Sequence, residues 1–142
     1  MFYFSDINFL AILISTIAHM ILGMLWYSPA LFGKQWANLM GFNLDDKESW
    51  KKKQADAKSA YVVSFVGALI TALVLKLLFQ AAVITNFGPA ILIAVMVWFG
   101  FTGPMMLNST LFGERSVKLW AIDSIYYLVS GVVMAIILTA WV

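Results

Sequence analysis

Four apolar runs, each about as long as a bilayer's hydrocarbon layer is thick, decide what this chain can fold into. They cover residues 7–27, 60–79, 87–107 and 119–141. A helix rises about 1.5 Å per residue, so about 20 apolar residues cross about 30 Å of hydrocarbon. Each run meets that length. A closed β-barrel is the other way to satisfy backbone groups in lipid, but its short strands alternate polar and apolar residues. Stretches such as Leu69-Ile70-Thr71-Ala72-Leu73-Val74-Leu75 and Ile91-Leu92-Ile93-Ala94-Val95-Met96-Val97 do not alternate. The sequence therefore predicts an all-α membrane protein, a four-helix transmembrane bundle in a single integral membrane domain, with the lipid bilayer as its solvent.

Composition agrees. Of the 142 residues 63% are hydrophobic and 11% charged, against about 25% charged in a soluble domain, so polar side chains are too few for a water-facing shell. No cysteine is present, which excludes disulfides, thiolate metal sites and cysteine nucleophiles. A net charge of +2 gives no basis for a nucleic-acid partner. The flank 1–6 ahead of the first run carries no basic residue and no small-x-small cleavage site follows, so that run reads as a retained span rather than a signal peptide.

The basic residues are placed unevenly. Lys34, Lys47, Lys51, Lys52, Lys53 and Lys58 lie in or beside the connection 28–59, and Arg115 and Lys118 lie between the third and fourth runs. Only Lys76 falls near the other side. The positive-inside rule then makes both basic loops cytoplasmic and puts both termini outside. Lys76 is expected to extend its amine to the interface. In the first loop Asn43 or Asp45 can cap a helix running through Lys51-Lys52-Lys53 into the second span. Glu48 with Lys52 and Lys52 with Asp56 have ion-pair spacing, and the three lysines suit contact with anionic lipid.

A shift of 80 residues aligns Gly23 with Gly103 and Leu31-Phe32-Gly33 with Leu111-Phe112-Gly113. With the matching topology, this suggests a parallel duplication of a two-helix unit. Small residues in the second span (Ser64, Gly67, Ala68, Thr71, Ala72) suit close approach of a neighbouring helix, and Pro104 should kink the third.

Polar residues inside spans mark assembly or function. His19 shares a helix face with Ser15, Thr16, Gly23 and Trp26, and Asp123 shares one with Tyr126, Tyr127 and Ser130. The two faces are expected to turn inward, toward each other or toward Asn108 and Tyr27. The opposite faces, with Ile14, Ile17, Ile21 and Leu25 on one helix and Ile125, Leu128, Val132 and Ile136 on the other, are aliphatic. One histidine and one aspartate are too few for a metal site, and no nucleophile-base-acid set is present. The reading leans away from an enzyme and calls for no cofactor.

Leu25-Trp26-Tyr27-Ser28-Pro29, continuing through Phe32-Gly33-Lys34 to Trp36, resembles the family grouped as domain of unknown function 1761, small bacterial membrane proteins. The stretch from Trp120 through Asp123 to Tyr127 is similar to that family's last-helix pattern. The resemblance covers essentially the whole chain and implies a four-span integral membrane protein. The family brings no established activity, substrate or cofactor, so no catalytic residue carries over. The motif itself reads as an anchor: Trp26 and Tyr27 at headgroup level, Ser28-Pro29 ending the helix, and Gly33 allowing a turn that lays Trp36 back on the interface. Two functions are open at this point. One is a structural or accessory component working as a homo-oligomer or with a membrane partner. The other is a small-solute or proton-coupled transporter or channel built around His19 and Asp123.

Overall fold

The computed structural model describes residues 6–43 and 45–141, without the side chain of Trp50. The flank 1–5 read above lies outside the described residues. All the regular structure described is helical: α1 (Phe9–Trp26), α2 (Gly33–Leu39), α3 (Lys47–Asp56), α4 (Lys58–Ala81), α5 (Phe87–Val97), a π-helical turn over Trp98–Thr102, α6 (Gly103–Phe112) and α7 (Val117–Ala140). Four helices are long and apolar enough to cross a membrane: α1, α4, the combined α5–α6 rod Phe87–Phe112, and α7.

Local chemistry explains the ends. Asn8 caps α1 by accepting from the Ala11 N–H at 3.1 Å, and Ser116 caps α7 by accepting from the Lys118 N–H at 3.1 Å. The α3 cap is Asp46, which accepts from the Ser49 N–H at 3.1 Å. Neither residue expected for that role fills it, because Asn43 instead accepts from the Asp45 N–H at 3.0 Å to close a turn. Helix α3 does not run on into the second span either, since the backbone breaks at Ala57. Lys53 lies over the Phe42 ring, 3.3 Å from its centroid, folding the loop helix back on the chain that precedes it.

Helix α7 is the axis of the bundle. Spans one and four pack along each other, as do spans one and two and spans three and four, whereas α4 and α5 barely meet although a short turn joins them. The bundle is therefore an open arc in the order α4, α1, α7, α5–α6. A two-fold duplication would pack span three on span two as span one packs on span four, and between α4 and α5 that contact is slight. The residues aligned by the 80-residue shift also differ in role: Gly33 opens α2, while Gly113 ends α6.

Two storeys result. Toward the termini the core is apolar and built on small residues, with Ala11, Ala72, Ala90 and Ala135 fully buried around Leu75, Phe79, Met134 and Leu138. Alanine there lets backbones approach closely, which is what association in lipid rewards. Lys76 is buried in this storey with its amine donating to the Leu138 carbonyl at 3.4 Å. The stem thus carries the amine to the last turn of α7, which ends at Ala140. The storey at the end carrying α2 and α3 is polar and aromatic, and it holds the candidate site.

Candidate functional site

His19 sits on the buried face of α1 against α7. Tyr126 Oη lies 2.9 Å from the His19 carbonyl oxygen, which can only accept, so the phenol donates there. Its oxygen then accepts from His19 Nε2 at 3.0 Å, leaving Nδ1 to accept from the Ser130 hydroxyl at 2.5 Å. This assignment, the Nε2–H tautomer, satisfies every group in the cluster. Ser130 is one helical turn beyond Tyr126, so both reach the ring from one face of α7. Gly23, a turn further along α1, makes the arrangement possible: a Cβ there would stand 2.9 Å from Tyr126 Oη.

The second cluster belongs to the Trp26–Trp36 segment. Helix α1 ends at Trp26, with the Tyr27 N–H returning to the Gly23 carbonyl at 3.0 Å and the Ser28 hydroxyl donating to the Leu25 carbonyl at 2.7 Å. The tight turn that follows drives the two rings onto α7. The Trp26 indole donates to the Ile122 carbonyl at 3.1 Å, and the Tyr27 hydroxyl donates to Asp123 Oδ1 at 2.7 Å. Trp36, from α2, stacks edge-on against Tyr27 with ring centroids 5.6 Å apart, and both the Trp36 indole and the Arg115 charge act on the Asp123 carboxyl. The motif does more than float at headgroup level. It is a clasp that ties the end of α1 and, through Trp36, α2 to α7. Gly33 serves that clasp by close approach, since a Cβ at Gly33 would run into the Tyr27 carbonyl oxygen and lie 2.7 Å from Ser28 backbone atoms. Tyr126 joins the two clusters, its ring 5.2 Å from His19 and 5.5 Å from Tyr27.

The rod opposite is tied the same way. In the π turn the Gly103 N–H bonds the Trp98 carbonyl, five residues back. This register shift sits directly before Pro104, which has no N–H to give an α-helical ladder. The expected disturbance at Pro104 is thus a π turn on its N-terminal side. It aims the Trp98 indole at the Ser124 carbonyl, 2.7 Å away, and exposes the Gly103 carbonyl to the Trp120 indole at 2.9 Å. Sequence reading missed Trp98 as a tie. The available signal was a tryptophan in mid-span, where an indole N–H has no water to bond.

Because α4 and α5 diverge, a cleft of about 340 Å³ opens between them and reaches down to α7 and α1. Its floor is His19, Tyr127, Ser130 and Gly131; its walls include Gly67 and Thr71 of α4 and Trp98 of the π turn. The small-residue stripe of the second span is thereby divided. Ala72 is buried away from the cleft, Ala68 is buried at its edge, and Ser64, Gly67 and Thr71 line it exposed. Fully buried Ser15 and Ser124 have hydroxyls with no hydrogen-bond partner among the described residues.

Of the residues singled out by sequence, His19, Tyr126, Ser130, Tyr27 and Asp123 come together at the α1–α7 seam. Tyr127 points to the cleft, and Asn108 stands exposed on α6, outside both clusters. The reason is rotational: the extra residue in the π turn shifts the register of everything after it in the rod. Among the described residues, no three His, Cys, Asp or Glu side chains gather as metal ligands would. No curated protein matches the chain, and no solved structure does. The family described as protein of unknown function, DUF1761, matches residues 10–139, from the first turn of α1 to the last turn of α7, and the chain belongs to that family.

Proposed function

We propose that the protein is a non-catalytic component of its membrane, in which His19 and Asp123 hold helices together, and that it works beside a second copy of itself or another membrane chain. One observation carries the reading: both nitrogens of His19, and one Asp123 oxygen, are engaged by partners within the same chain. A relay group needs a path for protons on two sides, whereas these side chains close a seam between α1 and α7. As to orientation, the lysine distribution supports a cytoplasmic connection 28–59 with both termini outside, the membrane being read as a bacterial inner membrane from the family resemblance, and Lys51, Lys52 and Lys53 then face the anionic leaflet.

Transport is the second reading, and the cleft reaching His19 is what favours it. His19→Gln separates the two. Glutamine retains a donor and an acceptor on a flexible stem, so a structural role predicts a loss of about 1 kcal/mol and proton flux in proteoliposomes equal to that of empty vesicles for both proteins. A flux present in the native protein and abolished by His19→Gln, with the fold intact, would establish the transport reading instead.

A further inference from the structure

We propose that the cleft between α4 and α5 binds an uncharged amphiphile drawn from the lipid phase, a molecule with an apolar chain and a hydroxyl or carbonyl head. The inference is independent of the structural role given to His19 above, because it concerns the face of the cluster that the seam does not use.

Position decides where the ligand comes from. The cleft is lined by residues 63–75 of α4, 94–102 of α5 and the π turn, and 127–134 of α7, all well inside their spans. Its opening is thus sideways, at a depth where hydrocarbon and not water surrounds the protein. The outer faces beside the opening are apolar, with Val62, Val66 and Ile70 on α4 and Leu92 and Met96 on α5 exposed. A molecule entering there has to be soluble in lipid.

The floor decides what its head must be. Tyr127 has no hydrogen-bond partner among the described residues and offers a hydroxyl that donates and accepts. The Ser130 hydroxyl, having donated to His19, keeps lone pairs free, and Thr71, having donated to the Gly67 carbonyl at 2.9 Å, does the same. Polar groups in hydrocarbon lose free energy until they are bonded. Among the described residues no Asp, Glu, Lys or Arg lines the cleft, so a charged head would be buried without a partner, whereas a hydroxyl or carbonyl would be matched.

The space is at the low end of ligand clefts, which run from about 300 to 1,000 Å³. It is kept open by glycine: a Cβ at Gly67 would meet nothing within 4 Å, and one at Gly131 only the Ala94 Cβ at 4.0 Å. An α-helix of a second copy, about 10 Å across, does not fit so small a volume, and its satisfied backbone would leave the Tyr127 hydroxyl unanswered.

The test uses the full chain in phosphatidylcholine vesicles with three photo-reactive probes of one chain length, each carrying a diazirine in the chain: an alkyl alcohol, an alkyl sulfonate and an alkyltrimethylammonium. Labelled residues are read by mass spectrometry. The alcohol is expected to label the cleft walls around Trp98 and Met134 roughly fivefold more than either charged probe, the size of one net hydrogen bond. That labelling should vanish in Gly67→Leu, which fills the cleft from a position with room, and in Thr71→Leu, while unfolding temperatures stay unchanged. Equal labelling by all three heads, labelling confined to outer residues such as Phe99 and Phe101, or cleft labelling that survives both substitutions would overturn the proposal. So would a disulfide between two copies through Gly67→Cys, which would put a neighbouring helix where the ligand is placed.

Discussion

Gly23 sets the tightest steric demand in the His19 cluster. Tyr126 Oη would stand 2.9 Å from any Cβ at that position, and the phenol is pinned there by the His19 carbonyl and ring. Gly23→Ala must therefore push Tyr126 off its hydrogen bonds or force α1 away from α7, at a cost of about 1–3 kcal/mol. In a Tyr126→Phe background the clashing oxygen is already gone. The same substitution should then cost less than half as much, and a double-mutant cycle in detergent unfolding measures the difference. Tyr27→Phe should lose about 1–2 kcal/mol, because it takes the phenol donor from Asp123 in a place with little water to replace it. These contacts were partly legible: four-residue spacing put Tyr126 and Ser130 on one face, and Tyr27 was among the partners expected for Asp123. Lys76 was not legible. Its distance from the helix end could be counted, but whether α7 lay over it is a tertiary fact that no local pattern encodes.

Helix α2 shows at the level of an element how little intrinsic propensity matters once a clasp is in place. It is only seven residues long, too short to persist alone in water. What holds it is Trp36 against Tyr27 and Phe42, with ring centroids 5.6 and 5.5 Å away, over the hydrogen-bonded turn that starts at Tyr27. Gly33 is the hinge of that packing, and the atoms a side chain would strike are backbone, which no rotamer change can move. Gly33→Ala is therefore expected to cost about 2 kcal/mol or more and to release α2. Lys51→Ala, on exposed α3, should change stability by less than about 0.5 kcal/mol. Proteolysis between α2 and α3, compared with thermal unfolding, reads both effects. The sequence showed where α1 had to stop and that Pro104 would disturb the third span. It did not show that the disturbance would be a π turn, since proline removes a bond without saying how the neighbouring register is repaired. That unread register is also why Asn108 stands apart from the His19 and Asp123 clusters.

At the scale of the molecule, apolar run length was enough for fold class and for the four spans, because lipid leaves the backbone no alternative to helices here. Packing order was beyond it. The halves look alike in sequence at a few positions, yet spans one and four meet while two and three part. The difference comes from which small residues find a partner: Ala68 and Ala72 bury against the bundle, and Gly67 and Thr71 do not. The orientation of the arc in its membrane follows from charge instead of packing, and so can be tested separately. Eight of nine basic residues lie at the α2–α3 end or in the Arg115–Lys118 connection, against Lys76 alone toward the other, and Lys76 is buried, where it gives a translocating loop less surface charge than its place in the sequence suggests. Both facts favour holding the α2–α3 end on the cytoplasmic side. With no cysteine in the native chain, Gln80→Cys and Ser49→Cys each introduce a single thiol at opposite ends. In intact cells an impermeant maleimide should label the first and spare the second, and permeabilisation should expose both. Labelling of Ser49→Cys in intact cells would invert the molecule and place α2, α3 and the Tyr27–Asp123 clasp on the outer face.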